Sequence, residues 1–250
     1  CVLILVEGYL FSSNLWYIKP IIPFSTLTLF VVWAKDLLTT DNSSINIVTM
    51  NFLSIDFSTD VGSFFVKAKN KSFSKILQSD KSNIDLIMKL ILDFLEENNL
   101  NLGHIEAIFV NKGPGNYSGL RGSISTAKGI CVSKNIKLYG YDNFTWSIAK
   151  FLEKKDYVYS FLKVREKYFV KKFENNISKS SKIKEIDKAE IIKEFDDKFK
   201  VIPKNLIKFF DKKILELNNI NIVNLDHNDL ELLYLKGLLS KDLIKPLYLS

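Results

Sequence analysis

The run Gly113-Pro114-Gly115-Asn116-Tyr117-Ser118-Gly119-Leu120-Arg121 constrains this chain more than any other feature. It follows a short apolar stretch, Ile105 to Val110, and opens a segment suited to a helix from Ser118 to about Ser133. Strand, glycine turn, helix is the order in which backbone N–H groups cradle a phosphate. The spacing nevertheless fails both standard templates. Walker A needs G-x-x-x-x-G-K-[ST], and Ser118 stands where its second glycine belongs. In G-x-G-x-x-G the third glycine arrives one residue late, at Gly119. Pro114 also removes an amide donor. What remains is a tight turn with Ser118 as N-cap, and with Arg121 projecting from the first helical turn, where it and the helix N-terminus can meet an anion or nucleotide.

The helix after the turn is rich in small residues: Gly119, Gly122, Ser123, Ser125, Thr126, Ala127 and Gly129. Each glycine inside a helix costs about 1 kcal/mol relative to alanine, so close approach of another backbone is expected to offset it. The preceding helix, expected from the N-cap candidates Ser79-Asp80-Lys81-Ser82 to about Asn98, is apolar over more than half its circumference. Such breadth predicts burial on two sides. The pair therefore reads as a protein interface carried by Ile87, Met88, Ile91 and Leu95 on one helix, and by Ser118, Gly119, Gly122, Ser123, Thr126 and Ala127 on the other.

Alternation and turn residues place strands at 51–57, 61–68, 72–77, 105–110 and 137–141, with a further helix at 143–152. The order β-β-β-α-β-α-β-α predicts an α/β domain with a mixed sheet over residues 50–150. Residues 151–250 repeat the opening more weakly. Paired strands at 157–164 and 167–173 precede helices at 182–195, 205–217 and 228–239, with short strands at 198–202 and 220–223. Two halves that both begin with a hairpin predict a duplicated architecture whose second copy is reduced.

Residues 1–49 read differently. Position 1 is Cys, the segment is apolar and aromatic, and Met50 is followed at once by a strand. The expectation is a poorly ordered upstream extension with the natural start at Met50. The nearly uncharged run Ile21 to Ala34 is too short to span a bilayer unaided. Cys1 and Cys131 cannot form a disulfide framework, which predicts a reducing compartment, the cytoplasm. The net charge of +7 is spread without a block of one sign, so no DNA-binding arm is expected. Asp56, at the end of the first strand, is a turn residue whose carboxylate could also hold a metal–phosphate complex. His104 and His227 have no companion at ligand spacing, so both are read as surface or capping residues, and no metal site is expected.

Several of these residues also carry a family likeness. Ile55-Asp56-Phe57-Ser58-Thr59 is similar to an opening I-D-T-S-T, and the run 113–121 to G-P-G-S-F-T-G-L-R. Ala127-Lys128-Gly129 resembles A-K-G, and Pro246-Leu247-Tyr248-Leu249 resembles a closing P-L-Y-L. These motifs resemble the TsaB (YeaZ) family, which serves the synthesis of threonylcarbamoyladenosine in tRNA. The resemblance implies an actin-like ATPase fold of two ribonuclease-H-like halves, α/β with mixed sheets. It implies a subunit that is not an enzyme by itself and has no catalytic residue or cofactor of its own. Its implied partners are a catalytic TsaD-type threonylcarbamoyltransferase subunit, an ATPase subunit of TsaE type, and tRNA through the complex. ATP or ADP would sit at the complex junction, with Asp56 and Arg121 as weak nucleotide contacts, and a homodimer would form when the chain is alone. Ser82-Asn83-Ile84 departs from the family's His-Ser-Glu, and Gly122-Ser123 from its Ile-Gly. The competing class is an independent actin-like kinase or glycoprotease-type metallopeptidase.

Overall fold

The computed structural model describes residues 4–6, 9–11, 50–78, 81–152, 154–174, 181–241 and 244–249. Residues 1–49 and 50–250 are two compact units. In the first, β1 (Ile4–Val6) and β2 (Tyr9–Phe11) pair antiparallel. The rest of the expected upstream extension, and the N-cap candidates Ser79 and Asp80, lie outside the described residues.

Residues 50–250 build two five-stranded sheets of identical plan. The first contains β3 (Phe52–Asp56), β4 (Val61–Ala68), β5 (Lys71–Gln78), β6 (Ala107–Asn111) and β7 (Lys137–Tyr141) in the order β5-β4-β3-β6-β7. The β3–β4 and β4–β5 pairs are antiparallel; β3–β6 and β6–β7 are parallel. The second contains β8 (Tyr157–Val164), β9 (Lys167–Glu174), β10 (Lys184–Ile186), β11 (Lys200–Pro203) and β12 (Ile220–Val223) in the order β10-β9-β8-β11-β12. Its pairings repeat the same antiparallel and parallel pattern. The duplication read from the two hairpins is thus a duplication of whole sheets. Left-handed Lys69 and Asn70 (φ 53° and 59°) supply the backbone that a tight hairpin turn requires. β3 and β6 are buried along their whole length, as strands covered on both faces must be.

The helices depart more from expectation. The one expected up to Asn98 is two, α1 (Lys81–Asp85) and α2 (Ile87–Glu97), parted at Leu86, whose N–H bonds to Asn83 O in a tightened turn. The small-residue helix α3 spans Tyr117–Lys134, and its N-cap is Asn116 rather than Ser118: the Asn116 side chain accepts from Gly119 N at 3.1 Å. The helix expected at 143–152 shortens to α4 (Asn143–Ser147) with a 3-10 turn at Ala149–Phe151. The helix expected over 182–195 begins as strand β10, because the open edge of β9 offers its backbone groups partners. Only after Asp187, whose carboxylate accepts from Glu190 N, does α5 (Lys188–Glu194) start. The 205–217 helix is a 3-10 stretch, Lys204–Phe209, then α6 (Lys212–Leu215), restarted by the Asp211 cap. The last helix, α7, is Asp229–Leu235.

Three cores result. Helices α2 and α3 cover one face of the first sheet, burying Ile87, Ile91, Leu95, Ile124 and Ala127 with Leu53, Ile55 and Val110. The opposite face shares a core with α4, α7 and the second sheet through Phe52, Phe109, Trp146, Phe169, Val201 and Leu233. A third packs α5 and α6 on the far side of the second sheet. Beneath α5, the buried Lys200 ammonium donates to the carbonyls of Phe195, Asp196 and Lys198 just past the helix end. Among the described residues no helix is long and apolar enough to cross a membrane.

Candidate functional site

The protein's own groups take up several amides of the glycine turn. Asn111 Oδ1 accepts from Gly113 N at 2.7 Å, and Ser58 O accepts from Asn116 N at 2.7 Å. Asn143 ties in from the other side: its backbone N–H bonds to Gly113 O, and its side chain donates to Pro114 O at 2.9 Å and accepts from Asn111 at 2.7 Å. Asn111 and Asn143 are thus the residues that hold the turn. Sequence reasoning missed them because neither has a motif spacing, and Asn143, which braces Asn111 and Pro114, is remote from the turn in the chain.

Steric contacts explain the first glycines. A Cβ on Gly115 would stand 1.9 Å from Ser58 O, and one on Gly119 2.1 Å from Phe57 O. On Gly122 it would meet Ile84 Cγ2 at 2.9 Å and Ile87 Cδ1 at 3.3 Å. These glycines therefore serve contacts within the chain. At Gly129 a Cβ would meet nothing within 4 Å, and the residue is exposed.

The expected interface residues divide accordingly. Ile87, Ile91, Leu95, Gly119, Ser123 and Ala127 are buried inside the chain, so their side chains do not face outward. Gly122 and Thr126 are half-buried; Met88 and Ser118 are exposed. The outward face of the two helices is carried instead by Leu86, Met88 and Leu92 beside Ser118, Ser125, Gly129 and Val132. The face read from helical periodicity is the one turned toward the sheet, since the largest apolar residues go to the core first.

Asp56 and Arg121 do not meet. Asp56 lines a cleft of about 980 Å³, bounded by β4 and β5 on one side and by Lys204–Phe209 and residues 224–228 on the other. Its Oδ1 accepts from Ser58 N at 2.8 Å, and burial raises its pKa. Arg121 is exposed on α3 and is not among the residues lining this cleft; its guanidinium lies 5.2 Å from the Tyr117 ring centroid and donates to the Tyr117 hydroxyl.

His104 caps as expected, accepting from Asn101 N. His227 is part-buried at the wall of the cleft that Asp56 lines, not a free surface residue. It is inserted from the second half against the first sheet, with Nδ1 2.9 Å from Ser54 Oγ and Nε2 3.0 Å from Ser63 Oγ. Its ring stacks on Phe65 at 5.5 Å and meets Trp146 at 4.9 Å. This desolvation holds its pKa down to about 4. Among the described residues no group of three or more His, Cys, Asp or Glu could hold a metal ion.

Cys131 is buried in α3, and burial pushes its thiol up to about 11. The thiolate is the reactive form, so Cys131 is expected to resist iodoacetamide at pH 8 in the folded chain and to react on unfolding. Peptide mass mapping checks this; rapid labelling of Cys131 under native conditions would contradict it.

The comparisons with known proteins bear on this geometry. A family model for tRNA N6-adenosine threonylcarbamoyltransferase (TsaD) matches residues 78–159. The tRNA threonylcarbamoyladenosine biosynthesis protein TsaB of Buchnera aphidicola subsp. Baizongia pistaciae is 29% identical over 84 residues, 34% of this chain and 38% of that protein. The chain thus matches well under half the length of this curated relative. YeaZ from Pseudomonas aeruginosa superposes with a TM-score of 0.59 at 14% identity, covering 80% of this chain and 100% of that one. Both sequence likenesses are to proteins of tRNA threonylcarbamoyladenosine synthesis, each over about a third of this chain. A second Pseudomonas aeruginosa structure, described as an uncharacterized protein with similarity to peptidase YEAZ, gives a TM-score of 0.61 at 13% identity over 81% of this chain and 100% of that one. At such identities the structures speak to fold, and they bear out the expected actin-like, ribonuclease-H-like architecture of paired α/β halves.

Proposed function

We propose that this chain is the non-catalytic subunit of a tRNA threonylcarbamoyladenosine synthesis complex, pairing through the outer face of α2 and α3 with a TsaD-type threonylcarbamoyltransferase. The observation that carries the pairing is Gly129. It weakens the helix, yet among the described residues nothing lies within 4 Å of where its Cβ would stand, unlike Gly115, Gly119 and Gly122. The exposed apolar side chains of Leu86, Met88 and Leu92 stand on the neighbouring elements. A small, smooth helix beside exposed aliphatic groups suits close packing of a partner helix. The curated TsaB relative and the TsaD match over 78–159, which includes both helices, support the assignment to this pathway. In this reading the complex acts in the cytoplasm, a TsaE-type ATPase subunit docks on the pair, and ATP or ADP binds at their junction rather than in the glycine turn. The same face would form a homodimer when the partner is missing.

Gly129 also provides the test, because two effects of its substitution have opposite signs. Gly129→Ala is expected to stabilise the isolated chain by about 1 kcal/mol through helix propensity. Gly129→Leu is expected to leave the fold intact but weaken association with the catalytic subunit at least tenfold, about 1.4 kcal/mol. Denaturant melts and size-exclusion titration of the co-purified pair read the two. Undiminished pairing by Gly129→Leu and by Met88→Asp would overturn the assignment of this face.

A further inference from the structure

The chain's last described residues return to the start of α3. Leu247 N donates to Lys112 O at 2.7 Å, which lays the tail against the glycine turn. Tyr248 then stacks on Tyr117, with ring centroids 5.3 Å apart and planes inclined by 26°. Arg121 joins through its contact with the Tyr117 ring and its hydrogen bond to the Tyr117 hydroxyl. The result is an aromatic pair with a guanidinium attached, assembled from the two ends of a long stretch of chain.

This cluster is not core packing. Tyr117 is 56% exposed and Tyr248 51%. The two chain segments that build it are also one-sided in charge. Between Glu106 and Asp142 the sequence has no Asp or Glu, yet it carries Lys112, Arg121, Lys128, Lys134 and Lys137; the tail 244–249 adds Lys245 and no acid. Lys128 follows Arg121 by two helical turns and so lies on its side of α3.

We propose that Tyr117, Arg121 and Tyr248 form a stacking platform for an unpaired base of RNA. Every nucleobase has a π-face that stacks on tyrosine or on a guanidinium, and the basic, acid-free segments that carry the platform suit the attached phosphates. A protein partner is served less well here, because the exposed aliphatic side chains Leu86, Met88 and Leu92 belong to α2 and the residue before it, and Val132, also exposed, lies about three turns beyond Arg121 along α3. The choice of RNA as the ligand rests on the tRNA reading above; the platform itself rests on the geometry. Tyr117 and Arg121 lie about 40° to 120° around α3 from Ser125 and Gly129, so the platform borders the proposed pairing face. The base would therefore be held at the rim of the pair.

Fluorescence anisotropy of a labelled single-stranded oligoadenylate decamer with the full chain tests this, alone and with the catalytic subunit. Binding should weaken steeply with added salt. Tyr248→Leu should weaken it about tenfold or more while Tyr248→Phe stays near wild type, a contrast that apolar packing would not produce. Arg121→Gln, also a surface change, should weaken it in parallel, and unchanged melting curves would show that all three variants fold. Absence of binding at low salt, or equal binding by Tyr248→Leu, overturns the platform. So does loss of pairing in Tyr248→Leu with RNA binding untouched, which would make the cluster a protein contact. A chain that pairs but binds no RNA sinks this inference alone, whereas one that binds RNA but does not pair sinks the pairing face alone.

Discussion

Gly119→Ala is expected to destabilise the 50–250 unit by about 3 kcal/mol or more, although alanine is the better helix former. The added methyl would lie 2.1 Å from Phe57 O and 3.1 Å from Phe57 Cβ, and the first atom is backbone, which cannot rotate away. Either α3 lifts off the sheet or the end of β3 moves. Phe57 is itself fully buried, packs its ring at a tilt 5.5 Å from Phe64, and lies so near Gly62 that a Cβ there would meet its ring at 2.5 Å. Movement would therefore spread through the core under α2 and α3. The propensity gain of about 1 kcal/mol is too small to offset this. Urea denaturation of Gly119→Ala beside Gly129→Ala is the measurement, with opposite signs expected for the same chemical change in one helix. A loss below about 1 kcal/mol at Gly119 would show that the helix relaxes freely and that the close approach carries little energy.

Acid should loosen the joint between the two halves, and His227 is the group responsible. Its pKa is about 4 in the folded chain against the ordinary 6.5. Above pH 6.5 the ring is neutral in both folded and unfolded states and costs nothing. As pH falls below 6.5 the unfolded chain takes up a proton that the folded chain refuses, so stability declines until about pH 4 is reached. That difference amounts to about 3 kcal/mol. The opposition comes from desolvation rather than lost hydrogen bonds, since the hydroxyls of Ser54 and Ser63 could accept from a protonated ring while Phe65 and Trp146 deny it water. Asp226 beside it acts weakly the other way. Burial raises Asp56 and Asp229, whose titration also runs opposite, so the diagnostic comparison is with a variant rather than with pH alone.

His227→Ala should cost about 3 kcal/mol at pH 7.5, because it leaves a cavity between two aromatic rings and deprives Ser54 and Ser63 of a partner. It should also flatten the fall in stability between pH 6.5 and 4. A variant with the wild-type pH slope would show that another group governs acid sensitivity. Loss of the joint would further release the cleft beside it, whose opening the ring helps to set.

Local chemistry carried a good part of this structure. Strand positions followed from alternation, the first hairpin from Asn70-Lys71, and the duplicated plan from two hairpin openings, because these depend on neighbours in the chain. The glycine turn was recognisable as a structural turn from Pro114 and from the misplaced Gly119. Helix boundaries in the second half were less legible. Residues 184–186 have helix-compatible composition but meet the free edge of β9, and hydrogen bonding to a strand distant in sequence outweighs propensity. The same distance hid Asn111 and Asn143, whose bonds hold the turn, and the setting of His227 among Ser54, Ser63, Phe65 and Trp146. By itself the sequence determined that α3 is a helix of small residues launched from a glycine turn. Only the tertiary structure decided which of its glycines answer to the chain's own backbone and which stands open, because a Cβ contact depends on atoms that folding brings to within a few ångströms.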